Sequence, residues 1–224
     1  MKKIGLLIPK TNLTVEHELQ YLFNKRILNC NDYVFYVAKL DYKTSYKENK
    51  EQYLKDLAED SKSKIEDLKY LGVDYVGYFC TSSAIVSNNL NILNNPAQAL
   101  IEEAKLKNIK KCLLITPYND ELGGKVKDEL ENNYIQVNRM INLNLINTKD
   151  YFDFGKNKLE KFIIDNYQSD DGDIVISCTN LPTLQLISDI EKKLNVKVIS
   201  SNSSLFSKII RENSLGGVYG KDRI

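Results

Sequence analysis

The chain is short of histidine, of net charge and of long apolar runs, and each shortage removes a class of function. His17 is its only histidine, so no second imidazole exists to build a His-based metal cluster. No two of its four cysteines stand in a Cys-x-x-Cys spacing, which argues against a zinc site and against a thioredoxin-like redox pair. No metal is expected. Thirty-one basic against 30 acidic residues leave a net charge of +1, which offers no electrostatic footprint for nucleic acid. No apolar stretch approaches the roughly 20 residues of a membrane span, so no membrane partner is expected either. A Gly-x-Gly-x-x-Gly fingerprint and a Gly-x-Ser-x-Gly elbow are absent, and Leu122-Gly123-Gly124-Lys125-Val126 lacks the spacing of a phosphate loop. Nucleotide cofactors and serine-hydrolase chemistry are thereby disfavoured.

What the chain does contain is a regular alternation of short apolar segments with polar, periodic ones, the pattern of an α/β fold with a mainly parallel sheet. Strands are predicted near 3–8, 33–39, 74–79, 111–116, 135–141, 173–177 and 196–200. Helices are predicted near 14–28, 49–71, 96–108, 119–132, 156–167, 182–194 and 203–213. The opening Met1-Lys2-Lys3-Ile4-Gly5-Leu6-Leu7-Ile8-Pro9 reads as a first strand and not as a signal peptide. A cytoplasmic protein with free thiols is the expectation.

The segment Ile4-Gly5-Leu6-Leu7-Ile8-Pro9-Lys10-Thr11-Asn12 has the same shape as Lys111-Cys112-Leu113-Leu114-Ile115-Thr116-Pro117-Tyr118-Asn119. Each is an apolar strand with a proline near its end and polar residues opening a helix. This duplication predicts two pseudo-symmetric lobes, 1–110 and 111–202, with the C-terminal helix, 203–224, crossing back onto the first. No Pro- or Gly-rich linker separates them, so a tight interface is expected.

A second echo carries the chemistry. Val76-Gly77-Tyr78-Phe79-Cys80-Thr81-Ser82 and Ile174-Val175-Ile176-Ser177-Cys178-Thr179-Asn180 each place a thiol at the end of a buried strand and ahead of small polar residues. In open α/β sheets ligands bind beyond the carboxyl ends of the strands, and a helix N-terminus there donates N–H groups to anions. Cysteine is among the most buried residue types and often just fills a core, but two in corresponding places point to a pair sharing one interlobe cleft. The strand-to-helix position is one that lowers a thiol pKa. Asn12 and Tyr118 occupy equivalent strand ends, where an amide and a phenol are suitable donors to a carboxylate or enolate. Cys30 and Cys112 lack the Cys-Thr context and read as structural. His17 reads as a surface or helix-packing residue, with Glu16 and Glu18 beside it favoured by the dipole of their own helix.

Together, Gly5-Leu6-Leu7-Ile8-Pro9-Lys10-Thr11-Asn12-Leu13-Thr14-Val15-Glu16, Phe79-Cys80-Thr81-Ser82, Thr116-Pro117-Tyr118, Ser177-Cys178-Thr179-Asn180-Leu181 and Val198-Ile199-Ser200-Ser201-Asn202 resemble the aspartate/glutamate racemase superfamily. The likeness spans the whole chain and is greatest to the maleate cis-trans isomerase and arylmalonate decarboxylase branch. It implies a cofactor-independent enzyme whose two lobes each contribute one cysteine beside a small carboxylate substrate. On that resemblance Cys80 is the nucleophile and Cys178 the general acid or base. Asn12 and Tyr118 contact substrate carboxylates, with the hydroxyl and N–H groups of Thr81, Ser82 and Thr179 holding them. Asn147 stands in for a further polar contact, within a stretch that departs from the family pattern. A homodimer is the family-level expectation.

The same pair of thiols serves two reactions. One thiolate can remove an α-proton while the opposite thiol returns one to the other face, which racemises aspartate or glutamate. Alternatively a thiolate adds to an alkene, the former double bond rotates, and elimination gives the trans acid. Maleate-type isomerisation leads, because Thr11-Asn12-Leu13-Thr14 fits that branch. Decarboxylation of an arylmalonate needs only one catalytic cysteine, so the presence of two argues against it. A carboxylate-binding protein without catalysis is the remaining alternative.

Overall fold

A strand buried on both faces needs helices above and below it, and the chain supplies them by alternation. The computed structural model describes residues 1–87 and 94–213. The first half runs β1 (Lys2–Pro9), α1 (Val15–Asn24), β2 (Tyr33–Leu40), α2 (Lys50–Tyr70), β3 (Tyr75–Tyr78), α3 (Thr81–Val86) and α4 (Pro96–Leu106). The second runs β4 (Lys111–Thr116), α5 (Asp120–Asn132), β5 (Gln136–Asn142), α6 (Thr148–Asn157), α7 (Leu159–Asn166), β6 (Asp173–Ile176), α8 (Leu184–Leu194), β7 (Val198–Ser200) and α9 (Ser201–Asn213).

Two parallel sheets result, ordered β2-β1-β3 and β5-β4-β6-β7. The central strands β1 and β4 are covered on both faces, and Ile4, Leu6, Leu7 and Ile8, like Leu113, Leu114 and Ile115, are fully buried. That is why both read as unbroken apolar runs. The repeat is visible in the register: β1 lies between β2 and β3 as β4 lies between β5 and β6. Leu7 pairs with Tyr78 and Ile115 with Ile176. Cys80 and Cys178 therefore stand two residues beyond equivalent pairs. The backbone continues alike beyond them, with Phe79 N–H donating to Leu7 C=O at 2.8 Å and Ser177 N–H to Ile115 C=O at 2.9 Å.

The helices depart from expectation in instructive ways. α3 and most of α6 are not predicted. α3 is six residues rich in Ser and Thr, which have weak helix propensity. α6 is announced by a capping box between Asn147 and Asp150, a signal the apolar periodicity does not contain. α1 stops at Asn24 and not near residue 28, because Arg26 turns into the left-handed region at φ 58°. α9 begins at Ser201, directly after β7, and packs on α4, β3 and β7. The part of the predicted 203–224 segment beyond residue 213 lies outside the described residues. Gly155 lets α6 close on the second cysteine turn, since a Cβ there would stand 2.5 Å from Pro182 Cδ. Among the described residues no helix is long and apolar enough to cross a membrane.

Candidate active site

Cys80 is the N-cap of α3, in extended conformation. Its Sγ lies 3.8 Å from Ser82 Oγ. Cys178 stands two residues beyond the end of β6. Its N–H donates to Ser201 Oγ at 3.1 Å, and its Sγ accepts from the Asn180 N–H at 3.3 Å. Ser201 Oγ also accepts from Thr81 Oγ1 at 2.9 Å, which ties the two cysteine turns through one hydroxyl. Both thiols are free, and both line a single cavity of about 40 Å³ walled by residues of both halves.

Of the other residues singled out by sequence, Asn12, Thr81, Ser82, Tyr118 and Thr179 line the same cavity. Asn12 uses Oδ1 to accept from the N–H groups of Thr14 and Val15, at 2.8 and 3.0 Å, and turns Nδ2 toward Thr179 Oγ1 at 3.3 Å. Thr179 Oγ1 donates to the Phe79 carbonyl at 2.9 Å. Asn147 is not brought to the cavity. It is the N-cap residue of α6, its N–H and Nδ2 donating to Asp150 Oδ2 at 3.3 and 2.8 Å, and the lining residue is its neighbour Thr148.

Sequence reasoning missed the tyrosine wall. Tyr46, Tyr53 and Tyr151 line the cavity beside Tyr118. The Tyr46 and Tyr151 hydroxyls meet at 2.9 Å, bridging the two halves, and Tyr53 reaches Thr11 Oγ1 at 2.7 Å. Tyr53 lies on the buried face of α2, where periodicity marks it only as core. Asn180 was legible within the Cys-Thr-Asn block; its Oδ1 accepts from Leu13 N–H at 2.8 Å and its Nδ2 donates to the Thr148 carbonyl at 2.8 Å.

The electrostatics reverse one expectation. Burial raises the pKa of both thiols, pushing Cys178 up to about 12, and the local donors do not overcome it. Those donors are the Ser83 N–H and Ser82 hydroxyl for Cys80, and Tyr118, Asn180 and Leu181 for Cys178. Desolvation disfavours a charge more than a short helix and a few dipoles favour it. A charge on Cys80 raises Cys178 further, so the pair holds one thiolate and one thiol more readily than two thiolates. Burial likewise raises the phenols of Tyr46, Tyr53, Tyr118 and Tyr151. They remain protonated and available as donors. No Lys, Arg or His among the described residues lines the cavity.

The remaining candidates stand apart. Cys112 is buried in β4, whereas Cys30 is exposed, so the core-filling expectation fails for Cys30. His17 packs edge-on against Phe152 and contacts Gln185 Nε2 at 3.3 Å, away from either thiol. A larger depression of about 500 Å³, near Lys110, Lys111 and Asp173, contains neither cysteine.

A family model for arylmalonate decarboxylase matches residues 92–223, more than half of the chain. The chain belongs to the arylmalonate decarboxylase family. Within reach of that family, a maleate isomerase of Geobacillus stearothermophilus is 23% identical, over 95% of this chain and 92% of its own. The fold is shared with a Pseudomonas putida maleate isomerase solved with maleate, at a TM-score of 0.79 and 20% identity over 96% of this chain and 92% of that one. It is shared equally with a Nocardia farcinica maleate cis-trans isomerase, a cysteine-to-serine mutant carrying a covalently bound succinylcysteine intermediate. There the TM-score is 0.79 and the identity 18%, over 96% of this chain and 93% of that one. The resemblance read from the Cys-Thr blocks is thus to the branch that this family member joins.

Proposed function

We propose that the protein is a cofactor-independent cis-trans isomerase of a small unsaturated dicarboxylate of the maleate type. The observation that carries this reading is a pair of free thiols in one buried cavity whose other polar groups are neutral donors. Cys80 is the nucleophile: its thiolate adds to one alkene carbon, forming a C–S bond, and the π electrons move to the neighbouring carbon and its carboxylate. Cys178, kept protonated by burial and by the charge on Cys80, delivers its proton to that carbon. The former double bond now rotates. Cys178 takes the proton back, the C–S bond breaks, and the trans acid leaves with both sulfurs restored. Asn12, Thr81, Ser82, Tyr118 and Thr179 supply O–H and N–H donors to the two carboxylates, and a site of neutral donors lets a carboxylate exchange water for hydrogen bonds. That both relatives of known fold named above are maleate isomerases supports this choice of substrate.

Decarboxylation of an arylmalonate fits less well, because that reaction needs only one catalytic cysteine and two free thiols line this cavity. The test follows maleate, aspartate and phenylmalonate by NMR in deuterated water. Fumarate from maleate is expected, with loss of at least about 10³-fold in kcat for Cys80→Ser. Cys178→Ser should stop turnover and let one maleate-mass adduct accumulate on Cys80, read by peptide mass spectrometry. Deuterium uptake at the α-carbon of aspartate without fumarate formation would replace the isomerase reading with a racemase.

A further inference from the structure

Glu18 is a charged residue in the wrong place for its own helix. It lies in the first turn of α1, but its side chain is 1% exposed and its carboxylate has left the α1 N-terminus for the start of α8. Oε1 accepts from the N–H groups of Thr183 and Leu184, at 2.5 and 2.8 Å, and Oε2 accepts from Asn202 Nδ2. No side chain of Thr183 caps α8, so Glu18 supplies from another helix the acceptor that an N-terminus needs. Every one of these partners is neutral. A buried carboxylate without a cation is costly, but an apolar side chain in its place would leave the Thr183 and Leu184 N–H groups without an acceptor.

What the carboxylate holds explains its retention. The Asn202 amide donates from the same Nδ2 to the Thr179 carbonyl at 3.0 Å. Both neighbours of that nitrogen accept from it, so the amide is oriented by them, and Asn202 Oδ1 is left buried with no hydrogen-bond partner. Glu18 thereby grips the segment 178–184 at two points: at Thr179 through Asn202, and directly at Thr183 and Leu184. Cys178 immediately precedes the first of these points, and its own N–H donates to Ser201, the neighbour of Asn202. We infer that Glu18 is a positioning residue, which fixes the Cys178 turn from the first half of the chain through Asn202 and the start of α8. The inference rests on the reading of Cys178 as the proton donor of the isomerisation.

The test compares the intact wild-type protein with Glu18→Gln, Asn202→Ala and the double variant. Glutamine keeps an oxygen for Thr183 and Leu184 but turns an NH2 toward the Asn202 NH2, so the link to Thr179 is lost while the α8 cap survives. With maleate, kcat should fall about 10-fold in each single variant and KM should change less than about 3-fold, because no substrate contact is removed. The double variant should lose no more than the worse single one, as expected for residues acting in series. Retention of kcat within about 2-fold in Glu18→Gln, or multiplied losses in the double variant, would overturn the inference. If Glu18→Gln does not fold, Asn202→Ala carries the same kinetic test. If wild-type protein leaves maleate unchanged, the functional reading fails by itself. Positioning is then read from iodoacetamide alkylation of Cys178, followed peptide by peptide. A change of at least about 3-fold in its rate, with that of Cys80 unchanged, is expected in Glu18→Gln; equal rates would refute it.

Discussion

Replacing Glu18 by glutamine should make the protein's stability less dependent on pH between 5 and 8.5, and the size of the effect follows from burial. Desolvation raises the Glu18 carboxyl to about 7 from its usual 4.5, with the donors at Thr183, Leu184 and Asn202 opposing it. Below the lower value the side chain is protonated whether the chain is folded or not. Between the two values only the unfolded chain releases the proton, and above about 7 the folded chain must carry the buried charge as well. Stability from this group is therefore fully present in acid and lost as the pH rises through about 7. At about 1.4 kcal/mol per pH unit of separation, the wild-type protein should lose roughly 2 to 3 kcal/mol over that range that the glutamine variant keeps. Any pH-independent change caused by the substitution cancels, since each protein is compared with itself. His17 and Glu16, the titratable neighbours on α1, are present in both; Glu16 pairs with Lys39 and His17 packs on Phe152. Urea unfolding at pH 5 and 8.5, with transitions followed by circular dichroism, reads the difference as a midpoint shift on the order of 1 M. Parallel pH dependence in the two proteins would refute the claim that the Glu18 charge is buried and unpaired.

Three further outcomes follow from the site. Because burial raises Cys80 above its usual 9 and Cys178 to about 12, kcat/KM for maleate should rise about 10-fold per pH unit from pH 6.5 to 8.5; a flat profile would remove the Cys80 thiolate from the mechanism. Tyr118→Phe deletes the phenol donor to Cys178 and should lower kcat about 10- to 100-fold with little change in Tm, so an unchanged kcat would free Tyr118 of that role. Gly155→Ala pushes a methyl into Pro182, and a loss of about 1 to 3 kcal/mol should appear in thermal melts as a Tm lower by roughly 2 to 10 °C; an unchanged Tm would mean that the α6 contact is loose.

The parts of the site that were legible are those encoded locally. Cys80 and Cys178 announce themselves because each follows an apolar run buried on both faces, so the strand end is visible in the pattern. Asn12 and Tyr118 were found through the duplication, which maps one strand end onto the other. Tyr53 on α2 and Tyr151 on α6 had no such marker, since a tyrosine on a helix looks the same whether it lines a cavity or fills a core, and Tyr46 sits in the turn before α2, outside any periodic segment. Asn147 shows the converse: a polar residue in a plausible segment spends its side chain on Asp150 at the start of α6, and Thr148 faces the cavity in its place.

The amino-acid order alone determined strands β1 to β7, the correspondence of β1 with β4 as repeats, and the two thiols at equivalent strand ends, because periodicity and chain direction are short-range properties. Tertiary structure decided how far each group is desolvated. It raised the thiols that a strand-to-helix position was expected to lower, and it carried the Glu18 carboxylate from its own helix to α8 and Asn202. Both outcomes depend on which surfaces meet between residues far apart in the chain, where water is excluded by packing and no local pattern records it.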